Sequence, residues 1–359
     1  MTKRLFWLNG IAILAVVLNH AVGWGFTALF WWTDRYRAVS VPNFDALGSP
    51  TYDVLLVLKQ LTPFSVPAFL VVSGFFIAFA GRAGLNWKMI GARLKNILIP
   101  YLIWSLVLIG MDFALGQPHP ISVILVKLLS GDASPIYYYV PLICQLFLLS
   151  PLLVPQIRSV HWKKILLAAA ILQACTLAWS YLALFRVVNW KPNWFFGNLI
   201  FFFVSGIALN FHADEIRPWI QARRKWWLAG LAVFSVLTVF ETEWFYRTYA
   251  IDWRGGVETI AATLYTFSFL LTFIGYDQIQ LPQATLFYKL GQMAYGIYLL
   301  HPIVLMLAAK FMYHAAPAVL GIQFLFVPIL FLAGILVPWL AMWVVSRTPL
   351  RKMYAYLFG

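Results

Sequence analysis

Apolar residues along this chain are gathered into runs of about 20, each long enough as a helix to cross the roughly 30 Å hydrocarbon core of a bilayer. Shorter polar segments separate the runs. We read ten spans, at about 5–26, 54–81, 97–116, 136–157, 165–186, 194–212, 226–245, 257–276, 290–313 and 318–346. Pro63, Pro67, Pro302 and Pro338 fall inside them, and a membrane bundle tolerates proline where neighbouring helices re-satisfy the freed carbonyls. The first run passes straight into Trp24, Phe26 and Trp31–Trp32 with no small-residue cleavage pattern, unlike a removable signal peptide. The expected architecture is an all-α polytopic bundle, one membrane domain over 1–359. The stretches 33–53 and 117–135 are long enough to lie over the mouth of a site.

Composition agrees with the pattern. Hydrophobic residues make up 62% of the chain and charged residues 11%, against about 25% charged in soluble domains. Seventeen Trp and seventeen Tyr suit the aromatic belts at membrane interfaces. Charge then orients the bundle. If the N-terminus is cytoplasmic, the segments on that side hold 17 of the 26 Lys and Arg but, among acids, only Asp214, Glu215 and Asp277. The whole net charge of +14 therefore gathers on one face, the positive-inside pattern, which puts both termini in the cytoplasm. Attraction to anionic lipid accounts for the basic balance, so nucleic acid is not an expected partner. Cys144 and Cys175 lie within spans as small apolar residues. No metal-ligand spacing, glycine-rich phosphate loop, GxSxG elbow or internal repeat is present.

One side chain stands out. His20 ends the apolar run 5–20, and an ionisable group inside a span costs a few kcal/mol on insertion scales, which makes it a functional candidate. An imidazole there could act as a general base at a membrane face. Equally, it could merely hydrogen-bond a neighbouring helix.

Four patterns occur in order: the His20 run; Ser65-Val66-Pro67-Ala68-Phe69-Leu70-Val71-Val72-Ser73-Gly74-Phe75-Phe76; Arg93-Leu94-Lys95-Asn96-Ile97-Leu98-Ile99-Pro100-Tyr101-Leu102-Ile103-Trp104; and Tyr295-Gly296-Ile297-Tyr298-Leu299-Leu300-His301. Together, on ten spans, they resemble the acyltransferase-3 family of integral membrane O-acyltransferases over essentially the whole chain. The resemblance implies an acyl-CoA donor in the cytoplasm, most often acetyl-CoA as a co-substrate with no resident cofactor. The acceptor it implies is a hydroxyl of a glycan, lipid-linked sugar or small metabolite outside a bacterial-type inner membrane. It also implies that His20 is catalytic and that Arg93 belongs to the donor site, with Lys95, Asn9 and Arg82 as further donor-binding candidates. The family commonly carries arginine where this chain has Asn9 and Asn96, and aspartate where it has Phe6. Asparagine keeps hydrogen bonding but lacks the bidentate cation.

The residues themselves add geometry. Asn9 and His20 share one helix face about 16 Å apart along the axis, so His20 lies towards the outer leaflet while Arg93 and Lys95 lie at the inner one. The donor's acyl arm would then thread most of the bilayer. A carboxylate should orient the His20 ring, as in triad logic. Glu241, Glu243 and Glu258 end spans seven and eight at about the right depth, and Glu258 is favoured because it lies within the apolar run Gly256–Tyr276. His301 and Tyr298 are candidates for an acceptor site, and Tyr137–Tyr139 could stack on a sugar. Bland readings stand beside these: sorted surface cations, a core histidine, belt tyrosines. A transporter of a small or acylated solute is the alternative function. It would need buried charges along a path, and the spans hold few, mainly Lys59, Asp112 and Lys310.

Overall fold

The computed structural model describes residues 2–32, 46–251, 258–280 and 282–359, and these contain helices and no strand. Most of the expected loop 33–53, and the start of the run Gly256–Tyr276, lie outside the described residues. The helices are α1 (Thr2–Trp31), α2 (Pro50–Gln60), α3 (Ser65–Ala80), α4 (Trp87–Ala114), α5 (Ile121–Ser130), α6 (Tyr139–Arg158), α7 (Trp162–Leu184), α8 (Ile200–Phe211), α9 (Ala213–Ala222), α10 (Arg224–Tyr249), α11 (Ile260–Gly275), α12 (Ala284–Ala315), α13 (Gln323–Arg347) and α14 (Tyr354–Phe358). The all-α membrane bundle is therefore found.

Fewer helices than the ten expected runs reach full spanning length among the described residues. Among the described residues, eight segments are long and apolar enough to cross a membrane: α1, α2–α3 taken together, α4, α6, α7, α10, α12 and α13. The spans expected at 194–212 and 257–276 contain only α8, of 12 residues, and α11, of 16. At 1.5 Å per residue these cover about 18 and 24 Å, short of the hydrocarbon thickness. The cause is local. Residues 196–198 form a 3-10 turn instead of α-helix. Gln145 holds the segment before it, donating to the Trp194 carbonyl (2.8 Å) and accepting from Phe196 N (3.4 Å). At α11 the Thr259 side chain caps the first turn by accepting from Ala262 N. Arg4 closes the other end, donating to the carbonyls of Phe273, Tyr276, Asp277 and Ile279, orphan acceptors that a cation at a helix C-terminus suits well. The stretch 117–135 does not cover a site mouth either. It folds into α5, which leaves Ile121, Leu125 and Leu129 exposed and is tied to α4 by the Tyr101 hydroxyl donating to Leu128 O (2.7 Å).

At the centre of the bundle α1 crosses α12, and α3 crosses α8, each through a reciprocal glycine contact. A Cβ on Gly10 would stand 2.1 Å from the Phe287 carbonyl oxygen, and one on Gly291 would stand 2.0 Å from that of Phe6. Gly74 and Gly206 do the same for α3 and α8, each 2.0 Å from the facing carbonyl. Without water, close backbone packing of small residues replaces the hydrophobic drive between helices.

The break between α2 and α3 falls at Leu61–Phe64, around Pro63. The two carbonyls freed there are re-satisfied from three sides. The Thr62 hydroxyl donates to Lys59 O (2.7 Å) and accepts from Asn19 Nδ2 (2.6 Å). Tyr265 donates to Leu61 O (2.8 Å). Proline opens the helix, and polar neighbours cover what it exposes. That break sits directly against α1 at residue 19.

Candidate active site

The C-terminal half of α1 brings His20 to a cavity of about 590 Å³. Its walls come from one end of the bundle: the α2–α3 break, the starts of α6, α8 and α11, the ends of α7 and α10, and the middle of α12. This volume suits a small polar ligand together with the end of an acyl arm. On α1 the cavity reaches down to Val16, about 10 Å along the axis from Asn9.

The His20 ring lines this cavity, and neither of its nitrogens hydrogen-bonds another described residue. Its nearest ring neighbour is His301, 5.5 Å away between centroids and tilted by 35°. His301 is wholly buried and its Nδ1 lies 3.1 Å from the Ile297 carbonyl. A carbonyl can only accept, so Nδ1 carries the proton, and in the neutral ring Nε2 keeps a bare lone pair. That Nε2 is buried with no hydrogen-bond partner among the described residues. His301 does not line the cavity, so of the two acceptor-site candidates only Tyr298 does, and its hydroxyl is committed to Ile136 O (2.6 Å). Tyr295 similarly donates to Ile97 O (2.6 Å). The tyrosines of the span-nine pattern thus tie α12 to α4 and to the turn before α6. Of Tyr137–Tyr139, only Tyr138 lines the cavity.

Of the three carboxylates expected near His20, Glu258 alone lines the cavity, paired with Lys191 at 3.6 Å. Glu241 instead accepts from Tyr181 (2.7 Å) and from Ala261 N (3.1 Å), securing the start of α11. Glu243 accepts from the Tyr52 hydroxyl and pairs with Arg247.

The four donor-site candidates lie elsewhere, and none of them lines the His20 cavity. Arg93 is half-buried, donating to Phe76 O (3.4 Å) beside the Phe147 ring. Lys95 is exposed. Arg82 donates to Asn210 Oδ1 (3.1 Å). Asn9 Oδ1 is buried with no hydrogen-bond partner among the described residues. A second cavity, of about 310 Å³, opens at the opposite end of the bundle beside Lys3, Arg4, Trp7 and Arg217. Its arginines are occupied, Arg4 with the α11 carbonyls and Arg217 with Asp277.

Three features escaped the sequence reading. The charge at Lys59 was visible, but its place beside His20 depends on the α2–α3 break. Lys191 and Arg186, in the loop after α7, also line the cavity. Gln173, Thr176 and Ser180 form a polar stripe at helical spacing along the otherwise apolar α7, a signal that was available. Gln173 accepts from Phe201 N (3.1 Å), and Thr176 donates to Gly197 O (3.0 Å). The stripe fixes the non-helical segment that walls the cavity.

The family model describing an acyltransferase domain, that of the acyltransferase-3 family, matches residues 4–343. The chain belongs to the acyltransferase-3 family. No curated protein and no solved structure matches it significantly. Membership of the acyltransferase-3 family supports a membrane acyltransferase, and such an enzyme needs a bilayer, an acyl donor and an acceptor.

Proposed function

We propose that this protein transfers an acyl group, in the first instance acetyl, from acyl-CoA to a hydroxyl of an extracytoplasmic glycan, lipid-linked sugar or small metabolite, with His20 as general base. One observation carries the reading: an imidazole with both nitrogens free of described protein partners, facing a polar cavity inside a membrane bundle. In the proposed reaction a neutral His20 nitrogen takes the acceptor hydroxyl proton as the oxygen attacks the thioester carbonyl. A C–O bond forms, the C–S bond breaks, and the imidazolium returns the proton to the departing thiolate, releasing CoA as its thiol. No covalent enzyme intermediate is required.

Around that base we assign His301 a positioning role through its ring contact with His20, and Glu258 a negative charge facing the same cavity that offsets the imidazolium formed in the reaction. Arg93, with Asn9 near the N-terminal end of α1, is assigned to the donor's passage. The three charges named for a transport path do not share one cavity. Lys59 faces the His20 cavity, Asp112 pairs with His119 and Lys127 on the surface-facing side of α4, and Lys310 is exposed.

Purified protein given labelled acetyl-CoA should lose thioester and transfer label in a His20-dependent manner. Flux of an unmodified solute without thioester loss would favour a carrier instead. His301→Gln should lower kcat by about 10–100-fold with the acceptor KM unchanged, the signature of a misaligned base. An unchanged kcat would assign His301 to packing alone. Glu258→Gln should reduce kcat by a similar ~10–100-fold, and a variant with full turnover would remove Glu258 from the mechanism.

A further inference from the structure

Lys59 occupies the last turn of α2, just before the Pro63 break, with its Nζ 3.5 Å from Asn19 Oδ1. The same Nζ lies 3.8 Å from where a Cβ of Gly23 would stand. The ammonium is therefore laid along α1 between the residue before His20 and the residue three beyond it, and it lines the same cavity. No carboxylate lies within ion-pair distance of it among the described residues; the cavity's Glu258 pairs with Lys191 instead. A lysine within a membrane span is costly to insert, and such residues face polar cavities or pair with an opposite charge. Among the described residues the cavity is present and a carboxylate paired with Lys59 is not.

The remaining cavity chemistry points the same way. Among the described residues Lys59, Lys191 and Arg186 line it against the one carboxylate of Glu258, an excess of positive charge. Arg186 stands at the cavity with left-handed backbone (φ 58°) that a side-chain-bearing residue rarely adopts. The hydroxyls of the α7 stripe donate to protein carbonyls, Thr176 to Gly197 O and Ser180 to Thr176 O. A neutral polyol would meet few unused donors on that wall. A lysine ammonium has three protons, and only the long contact to Asn19 engages one within the described protein.

Building on the acyltransferase reading, we propose that the acceptor carries an anionic group, a carboxylate or a phosphate, which Lys59 binds while His20 takes the proton of a hydroxyl on the same molecule. Lys59 and His20 line one cavity, so a single acceptor molecule can meet both. Arg186 at the cavity wall adds to the field that draws such an acceptor in.

The test uses full-length protein in lipid nanodiscs with labelled acetyl-CoA and three acceptors: glucose, glucuronate and glucose 1-phosphate. One of the charged acceptors should exceed glucose in kcat/KM by about tenfold or more, the range of a charge-assisted hydrogen bond. Which one prevails distinguishes a carboxylate from a phosphate. Lys59→Gln should remove the preference through acceptor KM, and Lys59→Arg should retain it. A catalysis-free arm follows thermal unfolding of the His20→Ala protein, which the charged sugars should protect and glucose should not. His20-dependent transfer to glucose as efficient as to its charged counterparts would overturn the anionic acceptor and leave the acyltransferase reading standing. A Lys59→Gln loss equal for all acceptors would place Lys59 at the reacting carbonyl and overturn the proposal. If thioester loss fails with every acceptor, the acyltransferase reading falls, and protection in the second arm decides the anion site alone.

Discussion

His20→Ala is expected to reduce acyl transfer by about 10²–10⁴-fold, the usual contribution of a positioned acid–base group, while the protein still inserts and purifies as the wild type does. Separation of function from folding is expected because the ring makes no hydrogen bond to a described residue and borders a cavity. Removing it strands no buried partner and enlarges a space that already exists. His20→Gln keeps polarity without a titratable nitrogen and should be equally inactive. The measurement is release of free thiol from acetyl-CoA by purified protein, with thermal unfolding recorded alongside. Wild-type turnover in either variant would end the catalytic assignment of His20.

The second large effect is expected at the crossing of α1 and α12. Gly10→Val and Gly291→Val each put a side chain where the facing backbone oxygen stands about 2 Å from the required Cβ. A backbone carbonyl cannot rotate away as a side chain would, so the helices must part. Overpacking of a core commonly costs 1–3 kcal/mol, and a backbone clash belongs at or above about 3 kcal/mol on that scale. These two helices also carry His20 and His301. Because about 1 Å of misplacement can cost 10²-fold in rate, kcat should fall by about that factor even in protein that remains folded. Gly296→Ala should be milder, since its Cβ would meet the flexible Met342 side chain. Gly91→Ala and Gly110→Ala, with nothing within 4 Å of the new Cβ, should leave both unfolding temperature and turnover unchanged. If Gly291→Val matched Gly110→Ala in both, the crossing would not set the geometry of the site.

Much of the scaffold can be read from residue order because the bilayer imposes it. A run of about 20 apolar residues has few choices other than a helix when every backbone group must be satisfied internally, and α1, α4, α6, α7, α10, α12 and α13 follow from that constraint. Side chains override that constraint in places. The apolar run Trp194–Leu199 looks like the start of a span, yet its backbone is bonded outside an α-helix by Gln145 and Thr176, distant in sequence. Hydropathy records what a segment would do in lipid and carries no record of partners 21 or 49 residues away.

The amino-acid order by itself determined the membrane helical class, the family, and the single histidine at the end of the first span as the place to look for chemistry. These depend on local hydrophobicity and on short motifs, which survive without knowledge of neighbours. Tertiary structure decided what faces that histidine. It set His301 against the ring, brought Lys59 to the neighbouring Asn19 by breaking a helix at Pro63, brought Glu258 and Lys191 to the same cavity, and engaged Glu241 and Glu243 elsewhere. Which of several equally spaced polar groups reach one cavity depends on helix crossings fixed by backbone contact at Gly10 and Gly291. A crossing is a property of two helices at once, and no single run of sequence contains it.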